Sequence, residues 1–230
     1  MTNKLKGLTG NQLKIIAAIS MTIDHIGIQL FPEYTILRII GRLAFPIFAY
    51  MIAEGCLYTK NKKRYLGTML IFAFILQLVY FFVMHSLFQC ILVTFSLSIL
   101  LIYAYDNAVK KDTDKDFGIL LLAFIFVLFA TKVMPVILSG TNYFVDYGFW
   151  GVMIPFFVYL GKTKAQKLLY STVGLILLAA SCGSVQWFSI LSIPILALYN
   201  GMRGQAKMKS FFYIYYPTHL VLIYVISLII

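Results

Sequence analysis

Charged residues are scarce in this chain. Asp, Glu, Lys and Arg make up 12% of its 230 residues, about half the share of an ordinary soluble domain. Acidic residues are the scarcer kind, 8 against 19 basic ones. No stretch is polar enough, or long enough, to be a separate soluble domain. The one dense charge cluster, Lys110 to Asp116, is too short to fold alone. Cysteine is nearly absent. Cys56, Cys90 and Cys182 make no C-x-x-C pair, and no histidine neighbours them at metal-ligand spacing, so no metal site is expected. Cys90 and Cys182 both fall near outer ends of apolar segments, which leaves a disulfide open, but small membrane-embedded thiols are the favoured reading. Walker, dinucleotide-binding, G-x-S-x-G and H-E-x-x-H motifs are all missing.

What fills the sequence is apolar. The apolar set reaches 61%, more than a soluble protein of this size can hide, so lipid must be the solvent for much of it. Spanning strands would alternate apolar and polar residues, and these segments do not, which predicts an all-α transmembrane bundle. The apolar segments are 12–31, 35–57, 65–84, 87–105, 117–137, 146–160, 168–182, 187–199 and 211–230. The pieces 168–182 and 187–199 are short, and could form one broken or re-entrant helix. Lys4 and Lys6 resemble a signal-peptide start, but Asp24 and His25 interrupt the following run and no cleavage site follows. A retained first helix is expected.

The net charge of +11 does not point to nucleic acid, because the basic residues form no single stripe. They recur in small groups between apolar segments, as orientation signals do. Lys4, Lys6 and Lys14 precede or open the first segment. Lys60, Lys62, Lys63 and Arg64 fill the second connection; Lys110, Lys111 and Lys115 the fourth; Lys162, Lys164 and Lys167 the sixth; Arg203, Lys207 and Lys209 the eighth. These are sixteen of the nineteen Lys and Arg residues. The alternation predicts about nine crossings in one domain over residues 1–230, a multi-pass protein of the cytoplasmic membrane with its N-terminus inside and its C-terminus outside. The same basic groups would face anionic lipid or an anionic cofactor.

Ionisable side chains inside lipid are costly and normally face the bundle interior. Here they are Asp24, His25, Arg38, Arg42, Glu54 and His219, with Asp146 opening the sixth segment. At ~1.5 Å per residue, Asp24 lies about 12 Å, and Arg42 about 10 Å, below the outer face of a ~30 Å core. They are plausible partners, either as a packing pair or as part of a polar site. His25 projects about 100° away from Asp24 and reads as a separate functional group in the same cavity. His219 follows Pro217 and a run of aromatic residues, so it fits either a functional or an anchoring role. Asn200, Gly201 and Arg203 lie in a basic turn whose glycines would admit an anion, although a plain turn explains them too.

Several of these residues sit in short motifs. Lys14-Ile15-Ile16-Ala17, Met21-Thr22-Ile23-Asp24-His25-Ile26-Gly27 and Ile40-Gly41-Arg42-Leu43-Ala44-Phe45-Pro46-Ile47-Phe48 resemble the opening of TraX family proteins. So do Glu54-Gly55, Asp146-Tyr147-Gly148, Tyr199-Asn200-Gly201-Met202-Arg203-Gly204 and Tyr216-Pro217-Thr218-His219-Leu220. The resemblance runs from about residue 11 to the C-terminus and is weakest over 85–135. It implies a membrane acetyltransferase that draws on cytosolic acetyl-CoA; the protein that gives the family its name, from conjugative plasmids, acetylates the N-terminus of pilin. It maps a catalytic histidine onto His25, with Asp24 and Arg42 beside it and His219 next in line. Arg38, Glu54 and Asp146 would shape the substrate path, and Arg64, Arg203, Lys207, Asn200 and Gly201 would hold the CoA phosphates. The acceptor would be an amine or hydroxyl on a surface protein, glycan or lipid. A small transporter with a proton pathway, or a non-catalytic assembly factor for surface structures, are the rival readings.

Overall fold

The computed structural model describes residues 7–206 and 208–229. The described residues are helical and contain no strand, only two isolated bridges. The helices are α1 (Gly10–Gln29), α2 (Thr35–Gly41), α3 (Ala44–Tyr58), α4 (Lys62–Val83), α5 (Ile91–Lys111), α6 (Asp114–Leu128), α7 (Met134–Ile137), α8 (Gly148–Leu160), α9 (Lys164–Cys182), α10 (Ser192–Ala197) and α11 (Lys209–Ser227). A π turn, Phe129–Val133, joins α6 to α7, and a 3-10 helix, Ser184–Leu191, precedes α10. Five stretches are long and apolar enough to cross a membrane: Thr35–Tyr58, Lys62–Val83, Ile91–Lys111, Asp114–Ile137 and Lys164–Cys182. Helix α1 is long enough but, with Asp24 and His25 in it, is not among the five.

Each apolar segment of the sequence coincides with a helical stretch, but two are broken where one helix was expected. The second segment is interrupted at Arg42 and Leu43, between α2 and α3. Pro46 explains the break: it has no N–H for the Arg42 carbonyl, so the α-helical ladder cannot run through. The segment 187–199 is a 3-10 turn followed by a six-residue α-helix. The 3-10 helix begins just after Gly183, whose φ of 92° a side chain would rarely tolerate.

The chain divides into two compact units: Met1–Met51 with Ser171–Ile230, and Ile52–Tyr170. In the second, α5 packs against α4, α6 and α8. Hydroxyls tie α5 to the α8 region. Ser98 Oγ donates to the Val152 carbonyl at 2.8 Å and Thr94 Oγ1 to the Asp146 carbonyl at 2.7 Å. Small hydroxyls of this kind are common interhelical links inside membranes, where no water competes.

In the first unit, α1 packs against α2 and α11, and the 3-10 helix packs against α2. Two glycines let α1 and α2 approach. A Cβ on Gly41 would collide with the Asp24 carboxylate, and one on Gly27 would lie 2.7 Å from Leu37 Cβ. Helix α1 starts with a capping box between Thr9 and Gln12, which satisfies two of its orphan donors. The segment after α10 supplies further caps: the N–H groups of Gly10 and Asn11 donate to the carbonyls of Met202 and Arg203.

Candidate functional site

The first unit gathers most of the intramembrane polar residues. Asp24 is buried on α1. Its Oδ2 accepts from Arg42 Nη2 at 2.6 Å, and Arg38 Nη1 lies 3.1 Å from the same oxygen as an ion pair without hydrogen-bond alignment. The expected Asp24–Arg42 partnership therefore forms, with Arg38 added. The close approach rests on Gly41, which puts the α2 backbone against the carboxylate. Arg42 Nη1 also donates to Gln186 Oε1 at 3.2 Å. Two guanidiniums around one carboxylate offset the cost of placing a charge where a lone one is expensive.

His25 and His219 meet. They are 194 positions apart in sequence, yet His219 Nε2 is 3.3 Å from His25 Nδ1, with ring centroids 5.1 Å apart and the planes inclined at 61°. His25 Nδ1 is also 2.9 Å from the Met21 carbonyl, and His219 Nδ1 2.9 Å from the Tyr215 carbonyl. Carbonyl oxygens only accept, so the neutral assignment that satisfies all three contacts puts a proton on each Nδ1. His25 Nδ1–H is then shared between Met21 and His219 Nε2. This leaves His25 Nε2 as the open lone pair of the pair, the atom a proton acceptor or nucleophile needs.

Helix α11 holds His219 in place. Tyr215 stacks on its ring at 5.2 Å and 13°, and Tyr216 meets it edge-on at 5.6 Å. The Tyr215 hydroxyl is 2.5 Å from that of Thr22 on α1. Pro217 removes one ladder donor from α11, and the Thr218 hydroxyl and His219 Nδ1 donate to the carbonyls of Ile214 and Tyr215 around that gap. The aromatic run before His219 is thus partly a clamp on this ring, a role beyond the interfacial belt the sequence suggests.

Other residues singled out in the sequence make other contacts. Glu54 is buried in the second unit and paired with Lys167, Nζ to Oε1 at 2.5 Å. Asp146 has its backbone N–H on the Gln89 carbonyl and its own carbonyl on Thr94. Arg64 is exposed, and its N–H is capped by Asn61 Oδ1. In the basic turn, Asn200 N–H donates to the Leu8 carbonyl and Asn200 Oδ1 accepts from Met202 N–H. Gly201 has a φ of 77°. The turn's first structural task is therefore to fasten the start of α1. Arg203 is exposed and within electrostatic reach of Lys14. Lys4, Lys6 and Lys207 lie outside the described residues. All three cysteines are free thiols. Among the described residues, no group of three or more His, Cys, Asp or Glu side chains is placed to hold a metal ion.

Two groups escaped the sequence reading. Gln186 and Ser189, in the 3-10 helix, are buried polar residues, the first just before and the second within a segment that reads as merely apolar. In the second unit, Asp106 on α5 pairs with Lys62 and Lys110 and accepts from the Tyr159 hydroxyl at 2.5 Å. It sits one turn before Lys110, and its place at the start of the basic fourth connection was the available signal.

An all-helical chain with five helices able to cross a bilayer, and with Asp, Arg and His gathered inside it, is an integral membrane protein. It belongs to the TraX family, whose model, described as "TraX protein", matches residues 9–227. Among curated proteins it is similar to one of Dichelobacter nodosus named "Probable fimbrial assembly protein FimC", with 26% identity covering 92% of this chain and 93% of that protein. An uncharacterized protein of Rickettsia prowazekii is 48% identical over 66 residues, covering 29% of this chain and 25% of that protein. No solved structure matches the chain.

Proposed function

We propose that this protein is a membrane-embedded acyltransferase. It moves an acetyl group from cytosolic acetyl-CoA to an amine or hydroxyl acceptor at the membrane or cell surface, in the assembly of pili or related surface structures. The observation that carries this reading is the His25–His219 contact, which leaves His25 Nε2 open beside the Asp24–Arg42 pair. A neutral imidazole carries a lone pair on the ring nitrogen without the proton, so it can take a proton from the acceptor. His219 is the positioning partner that fixes the His25 ring and tautomer, and Arg42 lends positive charge to the developing oxyanion. The relative named as a fimbrial assembly protein supports the surface-structure context. It also favours a second reading, a non-catalytic assembly factor, in which the polar cluster only fixes helix packing.

The nine crossings, with the N-terminus in the cytoplasm, are part of the proposal. Under that layout Arg64 and Arg203 lie in cytoplasmic connections, as does Lys207, and these cations fit CoA phosphates by charge, with Asn200 and Gly201 in the same turn. The acetyl group carried by CoA supplies the electrophile, and Arg38 would border the path beside Asp24. Reporter fusions after Arg64, Lys111, Lys164 and Lys207 are expected to read cytoplasmic. An external signal at any one of them would break the layout.

The acceptor is found by mass spectrometry of envelope proteins, glycans and lipids from cells with and without the gene. The acyltransferase reading expects one species to gain ~42 Da, the mass an acetyl group adds in covalent modification, only when the gene is present. Unchanged envelope masses alongside lost pili would favour the assembly factor.

A further inference from the structure

The segment Ser184–Leu191 is an eight-residue 3-10 helix, where runs beyond three or four residues are uncommon. Three residues per turn put positions 186, 189 and 192 on one face. Gln186, Ser189 and Ser192 occupy them, with 4%, 0% and 0% exposure. Ser192 Oγ donates to the Ser189 carbonyl at 2.7 Å. Among the described residues Gln186 Nε2 and Ser189 Oγ have no hydrogen-bond partner, which is costly for buried polar atoms unless something else comes to them.

The orientation of the Gln186 amide is fixed by chemistry. A guanidinium only donates, so the atom that meets Arg42 Nη1 must be the amide oxygen. The amide nitrogen, with two N–H donors, is therefore the free end. It stands beside Arg42, with the Ser189 hydroxyl one turn further along the same face. Arg42 in turn holds Asp24, the neighbour of His25, and both Arg38 and Arg42 lie within electrostatic reach of the His25 ring.

Buried donors next to a guanidinium suit an oxygen that accepts and gains negative charge. We propose that Gln186 Nε2, supported by the Ser189 hydroxyl, binds the acyl carbonyl oxygen of the thioester and holds it as the oxyanion. This rests on the acyltransferase reading and adds residues to it. In the step, the acceptor's lone pair forms a bond to the acyl carbon while His25 Nε2 takes the acceptor's proton. The C=O π electrons move onto oxygen, where Gln186 and Ser189 donate to them. Collapse restores C=O and breaks the carbon–sulfur bond, and the departing CoA thiolate takes the proton back from His25. The products are the acetylated acceptor and free thiol, with no change of oxidation state.

The test uses the full chain in lipid nanodiscs and compares two probes, acetyl-CoA and S-ethyl-CoA, which lacks the carbonyl oxygen. Wild type is expected to bind acetyl-CoA about tenfold more tightly, the worth of roughly one good hydrogen bond. Gln186→Met should bring that ratio near one while leaving S-ethyl-CoA affinity unchanged. Gln186→Glu keeps an oxygen for Arg42 but loses the N–H donors, so it too should lose the preference, and it decides the matter if the Met variant fails to fold. Retention of the tenfold ratio by a folded Gln186 variant, or equal binding of both probes by wild type, would overturn the assignment and leave the acyl-CoA reading standing. If wild type binds neither probe, both fall together.

Discussion

Exchanging His25 for glutamine is expected to leave a folded, inserted protein that binds acetyl-CoA as the proposed function requires but transfers acetyl at least ~10²-fold more slowly, within the ~10²–10⁴ range that general base catalysis supplies. Glutamine preserves hydrogen bonding towards Met21 and His219, so packing is nearly kept. What it loses is a ring nitrogen whose lone pair can take up a proton. His25→Ala should behave alike, because it removes a half-buried ring from an already polar surrounding. His219→Gln is expected to be milder, since His219 acts through the His25 ring. Its signature is a displaced pH–rate profile with acetyl-CoA affinity intact. Initial rates with labelled acetyl-CoA across a pH series check all three variants. Near-wild-type transfer by His25→Gln would take this residue out of the chemistry and leave His219 as the base.

Asp24 and Arg42 should show the largest effect on stability. Breaking one side of a buried ion pair costs about 3–5 kcal/mol, because the remaining charge stays in a low-dielectric setting. Asp24→Asn removes the carboxylate that both Arg38 and Arg42 address. Arg42→Gln removes the 2.6 Å partner. The double variant is expected to be less damaged than the two single losses added, with a coupling of roughly 1–3 kcal/mol. Unfolding midpoints in mixed detergent micelles, read for all four proteins of the cycle, provide the measurement. Additive losses would mean that the pair contributes no coupling in the membrane-embedded protein.

The fold was readable wherever composition dominates. Apolar runs interrupted by basic groups mark helices without any tertiary information, and each run has its helix in the structure. Where helices break was harder to read. Pro46 and Gly183 are visible as residues, but whether a proline bends a helix or ends it depends on what the freed carbonyl and side chains then meet. Here Arg42 is drawn to Asp24 across the gap that Gly41 opens. The ion pair could be inferred from matching depth, because depth follows from counting residues. Facing could not be inferred in the same way. His25 and His219 are brought together by the packing of α1 on α11, which no spacing encodes over 194 positions. Gln186 and Ser189 were hidden for another reason. Their three-residue period belongs to a 3-10 helix, and in an apolar stretch it passes as scattered polar residues.

Acetyl transfer through His25 is the reaction proposed for this membrane protein. The most direct measurement incubates the purified wild-type chain in nanodiscs with radiolabelled acetyl-CoA and an envelope extract, beside the His25→Gln variant at equal folded concentration. Label is expected on a component of the extract with wild type, close to background with the variant, and equal acetyl-CoA binding by both. Equal labelling by the two proteins would contradict the role of His25, and no labelling by a wild-type protein that binds acetyl-CoA would contradict the acyltransferase itself.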